Sequence, residues 1–284
     1  MPSLKKTIDK FLAVNREGGE ADQSLIATVA IIVIFGLIML SSATSAIAYV
    51  NYGDAYYFLK HQLYGLVLGV GVFWITARIN YHVWKKYAFG FLLISIALLL
   101  LVFIPGLAAT YGSSRSWINL FGFSLQPSEF VKISFLLYLA AWLEGRGWKI
   151  KETSESIVPF LSVLGIIGFL MILQPDIGTL SIIVLISLIV YFIGGGNVKH
   201  IILIMAVGAI CVFGLTKIKP YQADRFHCFW NPSWSINDRC YQVNQALIAV
   251  GSGGVTGLGL GQSRQKFMYI PEVGNDAIFP IISE

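Results

Sequence analysis

The stretch Leu25-Ile-Ala-Thr-Val-Ala-Ile-Ile-Val-Ile-Phe-Gly-Leu-Ile-Met-Leu40, running on to Ala43, contains no Asp, Glu, Lys or Arg. A bilayer core of ~30 Å is crossed by about 20 helical residues, so this segment reads as a membrane span. Uncharged runs recur at residues 61–77, 87–109, 156–175, 177–198 and 200–216. Residues 127–143 make a further span by length, with Glu129 and Lys132 in its first turn. Residues from Ala277 onward open an eighth, and Glu284 is the last residue. The whole composition agrees: 56% of the 284 residues are hydrophobic and only 12% charged, against about 25% charged in a soluble domain. Mean hydropathy is +0.72. A chain of this length folded in water could not hide that much apolar surface. The expected fold is therefore all-α: a polytopic integral membrane protein with seven transmembrane helices and the start of an eighth.

Lys and Arg set the orientation. With the N-terminus inside, the inner segments hold eleven (Lys5, Lys6, Lys10, Arg16, Arg78, Lys85, Lys86, Arg146, Lys149, Lys151, Lys199) and the short outer loops two, Lys60 and Arg115. The positive-inside rule then puts the N-terminus in the cytoplasm of a multi-pass plasma-membrane protein. The first apolar run is too long, and lacks the small-residue exit, for a cleaved signal peptide. Four segments follow: a cytoplasmic stretch 1–24, a seven-helix region 25–216, one long extracytoplasmic loop 217–275, and residues 276–284 beginning the eighth helix. The formal charge of +5 has no basic tract with interleaved aromatics, so nucleic acid is not an expected partner.

The long loop carries Lys217, Lys219, Arg225, Arg239, Arg264 and Lys266 against Asp224, Asp238 and Glu272. It is either a solvated basic face or a docking surface for an anionic head group. Within it, Val243, Ala246, Leu247 and Val250 share one helical face, with Gly251 as the expected cap. The glycines from Gly251 to Gly261 fit neither phosphate-loop nor dinucleotide patterns and read as tight turns. Cys211 in the seventh span is expected to pack. Cys228 and Cys240 lie on the oxidising side, where a disulfide or two free thiols are equally compatible with the spacing. No Cys or His cluster has metal-site spacing.

Charges at membrane depth cost about 2.5–3.5 kcal/mol each on insertion scales, so each needs a partner or a task. Glu129 and Lys132, three residues apart after Gln126-Pro127-Ser128, form a structural ion pair or line a cavity. Asp176, in Gln174-Pro175-Asp176, reads as a helix cap. Asp276 lies where the loop re-enters the bilayer; it is an N-cap or a partly desolvated general base.

Taken together, the motifs resemble the SEDS (shape, elongation, division and sporulation) polymerases. The resemblance rests on Gly112-Ser-Ser-Arg115-Ser-Trp117-Ile118, Phe123-Ser-Leu-Gln126-Pro127-Ser128-Glu129-Phe-Val-Lys132 and Gln174-Pro-Asp-Ile-Gly-Thr179. It continues with Tyr221-Gln-Ala-Asp-Arg225 and Asn231-Pro232, then Tyr241-Gln242 to Gly254, then Gly259-Leu-Gly-Gln-Ser263-Arg-Gln-Lys266 with Tyr269-Ile-Pro271-Glu272. The string around Ser263 is closer to the division branch, FtsW, than to the elongation branch, RodA. The resemblance implies ten spans and polymerisation of lipid II by glycosyl transfer outside the membrane. It assigns Asp276 as the base for the acceptor hydroxyl. Arg115, Trp117, Glu129, Lys132, Arg225, Gln242, Lys266 and Glu272 become substrate-binding residues, and a class B penicillin-binding protein and other divisome membrane proteins become partners. No cofactor is required by this chemistry; whether a divalent cation, Mg or Mn, assists the pyrophosphate is left open.

Two departures stand out. Where the family reads Pro-Glu-x-His-Thr-Asp-Phe-Ile-Phe, this chain has Pro271-Glu272-Val273-Gly274-Asn275-Asp276-Ala277-Ile278-Phe279. The chain also stops inside what resembles the family's Gly/Ala-Glu-Glu segment, so a partial and inactive gene product is expected. Competing functions are a lipid II flippase, which should tolerate Asn at position 276, and a silent divisome scaffold.

Overall fold

The computed structural model describes residues 22–104, 108–111, 114–120, 123–146, 153–218, 220–271, 273–274 and 276–284. In chain order the elements are α1 (Gln23–Tyr52), α2 (Tyr57–Arg78), α3 (Tyr81–Leu101), β1 (Ala108–Tyr111), β2 (Ser114–Leu120) and β3 (Phe123–Leu125). There follow α4 (Pro127–Arg146), α5 (Thr153–Leu173), α6 (Ile177–Ile193), α7 (Val198–Ile218), α8 (Pro220–Trp230), a 3-10 turn (Pro232–Ser235), α9 (Tyr241–Gly253) and α10 (Ile278–Ser283). Helix starts follow the capping chemistry of the sequence. The Asp22 carboxylate accepts from the Ser24 and Leu25 N–H groups, and Asn80 accepts from His82 N–H. Gly53, at φ 70°, closes α1 in the left-handed region.

The fold is mostly helical, but the all-α expectation needs correction. Residues between α3 and α4 form a three-stranded antiparallel sheet in the order β1-β2-β3, with Ala108 opposite Ile118 and Ile118 opposite Leu125. The expected third span to residue 109 accordingly ends at Leu101. Absence of charge marked an apolar run without distinguishing helix from strand, and short strands carry too few residues for their period to register.

The helices α1, α2 and α3 are long and apolar enough to cross a bilayer; the apolar parts of α5, α6 and α7 are shorter. Exposure is inverted relative to a soluble protein. Phe73 is 68% and Ile193 77% exposed, while Thr44, Ser95, Ser134 and Ser187 are buried. Large apolar side chains outside with small and hydroxyl-bearing ones between helices is the packing of a protein whose solvent is lipid, so the protein is membrane-embedded. Cys211 belongs to this outer surface rather than to the packing expected of it.

Two compact units divide the described chain. The first takes residues 79–210. Here Val131, Phe135, Leu139 and Leu143 form one stripe of α4 at a spacing of four. It packs against Leu92 and Leu99 of α3, with Phe160, Ile167, Ile183 and Tyr191 completing the core. A Lys85–Glu144 pair at 2.6 Å links α3 and α4.

The second unit joins α1 and α2 to the chain after Cys211. Its core is Ala43, Ala249, Ile270, Val273, Ala277 and Ile281, so the segment leading into α10 docks on α1 and α9. α9 lies where the sequence pattern put a helix, with two differences. Val243, Leu247 and Val250 are exposed, whereas Ala249 and Gly253 are buried. The cap is Gly254, at φ 59°, not Gly251. The buried face was chosen by size: a Cβ on Gly253 would meet the Ser283 carbonyl oxygen, so only a glycine lets α9 and α10 come this close.

Candidate functional site

The predicted residues fall into both units, and each arrangement is built from its own elements. In the first unit, β2 carries Arg115 and Trp117. Trp117 is half-buried; the Arg115 side chain lies outside the described residues. Ile118, fully buried, seats β2. Pro127 opens α4 with the fixed φ suited to a first helical position, and Glu129 in its first turn pairs with Lys132 at 2.8 Å. About half of the Glu129 side chain and a quarter of that of Lys132 are exposed.

Asp176 is the N-cap of α6, accepting from Thr179 N–H at 3.4 Å. Its second oxygen accepts from Gln126 Nε2 and Ser128 Oγ, both at 3.2 Å. One carboxylate thus ties the start of α4, with its ion pair, to the start of α6. Beside it Gln174 is buried and donates to the Leu99 carbonyl at 2.9 Å. A separate apolar groove of about 500 Å³ between α3 and α5 is lined by Ile96, Leu100, Leu161 and Phe169, and no predicted site residue lines it.

In the second unit, the disulfide Cys228–Cys240 joins α8 to the start of α9. Arg225 is on α8 and Gln242 in the first turn of α9, both exposed. Arg239 is held by Asp224 at 2.7 Å. Four glycines between α9 and Lys266, namely Gly254, Gly257, Gly259 and Gly261, have positive φ, the tight turning expected of them. Lys266 is 9% exposed, and its ammonium donates to the Gly261 carbonyl at 2.5 Å. Glu272 lies outside the described residues.

Asp276 is exposed and does not cap α10, whose N-cap is Ala277 with no side-chain bond. Of its two expected readings, the capping role is therefore absent. The core takes the neighbouring Val273 and Ala277 inward and leaves the carboxylate between them outside.

The residue that sequence reasoning missed is Glu284. Its side chain is buried, 4% exposed, and accepts from Ser263 Oγ at 2.5 Å and Gln265 N–H at 3.1 Å, with the Ser252 hydroxyl 3.4 Å away. Both Ser263 and Glu284 stood within quoted motifs, but nothing in the chain order connects them. Among the described residues, no group of three or more His, Cys, Asp or Glu side chains forms a metal site.

Residues 22–284 match the family described as Cell cycle protein, which groups FtsW, RodA and SpoVE. The chain belongs to this family. The SEDS motifs and the match therefore agree, and the relatives favour the FtsW type. Stage V sporulation protein E of Bacillus subtilis is 34% identical over 263 residues, covering 93% of this chain and 72% of that protein. A probable peptidoglycan glycosyltransferase FtsW of Trichlorobacter lovleyi is 35% identical over 268 residues, covering 93% and 70%. Among solved structures, a chain from work on coordinated polymerization and crosslinking by a peptidoglycan synthase complex aligns with a TM-score of 0.57. It has 28% identity, over 78% of this chain and 66% of that one. The rod shape determining protein RodA of Thermus thermophilus aligns at 0.57 with 26% identity, over 67% and 59%. The SEDS chain described here thus spans somewhat less than two thirds of those solved chains.

Proposed function

We propose that this SEDS protein is a peptidoglycan glycosyltransferase that polymerises lipid II at the outer face of the plasma membrane during division. Asp276 carries the reading. Its carboxylate is exposed and, among the described residues, committed to no cap, ion pair or hydrogen bond, so it is available to accept a proton. It takes the proton of the acceptor GlcNAc 4-hydroxyl as that oxygen attacks the anomeric carbon of the donor MurNAc. The bond to pyrophosphate breaks, and undecaprenyl pyrophosphate leaves with the bonding electrons. One base and no covalent sugar intermediate fit inversion from an α-linked donor to a β-linked strand. Lys266, Arg225 and Arg115 offset charge on the leaving group. Trp117, Glu129, Lys132, Gln242 and Glu272 bind the sugars and the lipid carrier.

The topology is seven spans and the start of an eighth, with a cytoplasmic N-terminus, supported by the eleven-to-two bias of inner over outer Lys and Arg. A class B penicillin-binding protein is the transpeptidase partner, joined by other divisome membrane proteins.

The test is lipid II polymerisation by the protein co-purified with its cognate penicillin-binding protein. Asp276→Asn should lower the rate by about 10²–10⁴-fold with folding and partner binding intact. Equal rates would remove Asp276 as base. Activity in neither, with lipid II still crossing the bilayer, would replace the polymerase by a flippase.

A further inference from the structure

The Glu284 carboxylate is buried in a unit that offers it no cation within ion-pair distance among the described residues. A buried carboxylate is costly unless donors surround it. Its donors are Ser263 Oγ at 2.5 Å and the Gln265 N–H at 3.1 Å; the Ser252 hydroxyl, 3.4 Å away, gives its proton to the Ala249 carbonyl at 2.9 Å. Both donors lie in the turn that ends at Lys266. Ser263 Oγ, while donating to Glu284, accepts from the Lys266 N–H at 3.3 Å. A continuous chain therefore runs from the Glu284 carboxylate through the Ser263 hydroxyl to the Lys266 backbone. The Lys266 side chain then folds back onto the Gly261 carbonyl.

The loop so held is a poor candidate for order by itself. Gly254, Gly257, Gly259 and Gly261 all sit at positive φ, and glycine loses more backbone freedom on folding than any other residue. A charged acceptor supplies what the loop lacks, because hydrogen bonds to an ionised group are shorter and roughly twice as strong as neutral ones. The Lys266 ammonium keeps donor capacity in reserve: it makes one carbonyl bond and, among the described residues, no ion pair. A cation held stiffly with unused donors is the arrangement that stabilises an anion without reorganising when it arrives.

We infer that Glu284 is a positioning residue: through Ser263 and Gln265 it pins the glycine-rich turn so that Lys266 presents its ammonium to the pyrophosphate of the lipid-linked substrate. The inference rests on the polymerase reading for its ligand. Glu284 does not touch the reacting atoms and moves no proton.

The test is a double-mutant cycle of Glu284→Gln and Lys266→Met in the intact protein in vesicles. It has two readouts, affinity for undecaprenyl pyrophosphate and hydrogen exchange at the Gln265 and Lys266 amides. Each single variant should weaken binding by about 10–100-fold, the order expected when a binding group is misplaced by ~1 Å. The double variant should bind no worse than Lys266→Met, because Glu284 acts only through Lys266. Exchange at both amides should accelerate in Glu284→Gln and stay slow in Lys266→Met. Losses that simply add, unchanged binding in Glu284→Gln, or unchanged exchange in Glu284→Gln would each overturn the inference. Failure of the polymerase reading shows elsewhere, in undiminished polymerisation by Asp276→Asn, and leaves both readouts of the cycle in force.

Discussion

Replacing Gly253 by Ala should loosen the turn before Lys266, although alanine is the better helix former. The added methyl would meet the Ser283 carbonyl oxygen and come 2.8 Å from Glu284 Cα. These are backbone atoms and cannot rotate aside, so α9 and α10 must part. Overpacking of this kind costs about 1–3 kcal/mol. The helix gains about 1 kcal/mol from Gly to Ala, less at its last residue. Parting the helices also draws Glu284 away from Ser263 and Gln265, and a hydrogen bond to a charged group contributes about 1.5–3 kcal/mol. The losses win: local opening should become easier by about 2 kcal/mol, read as roughly 30-fold faster hydrogen exchange at the Leu258 and Gln265 amides. Both amides donate to Glu284, Leu258 to its backbone oxygen and Gln265 to its carboxylate. Gly251→Ala is the internal control. It lies on the same helix with nothing within 4 Å of the new methyl, so it should stabilise by about 0.5–1 kcal/mol and leave exchange unchanged or slower. If the two variants exchange alike, the close approach of α9 and α10 does not hold the turn.

Three further outcomes follow from the same geometry. Reduction or Cys228→Ser with Cys240→Ser removes a cross-link closing a short loop, with a sequence separation of 12. The chain-entropy model gives about 3 kcal/mol, so protease cleavage between α8 and α9 should appear under conditions where the oxidised protein resists; equal resistance would refute it. Asp176→Ala removes the α6 cap and strands the Gln126 and Ser128 donors. A loss of about 2–3 kcal/mol is expected, read as a lower unfolding midpoint in detergent, with Asp176→Asn losing less. Finally, the Lys60 ammonium hydrogen-bonded to Asp54 holds that carboxyl below the usual carboxylate range, aided by the Tyr56 N–H. A lowered folded-state pKa means that the contact favours the folded state at neutral pH and that this contribution is lost as pH falls through the lowered value. Carboxyl titration by NMR should show Asp54 protonating later than ordinary carboxylates as pH falls, and returning toward them in Lys60→Met and at high salt.

The apolar runs and their lengths determined on their own that this protein lives in lipid, because no arrangement in water could hide them. The ordered motifs likewise carried the family, and the helix beginning near Tyr241 was legible from its 3.6-residue period. Everything that depends on contact between distant parts of the chain was decided by tertiary structure. The face of α9 that packs is Ala249 and Gly253 rather than the larger side chains, since closeness to α10 required small residues. The strands β1 to β3 were too short for periodicity to separate them from the end of a helix. Asp276 stays outside because Val273 and Ala277 are the residues that dock, a choice invisible in a run of single positions. Glu284 acquired its partners only when α10 lay against the glycine-rich turn, where the need to satisfy a buried carboxylate drew Ser263 and the Gln265 amide to it.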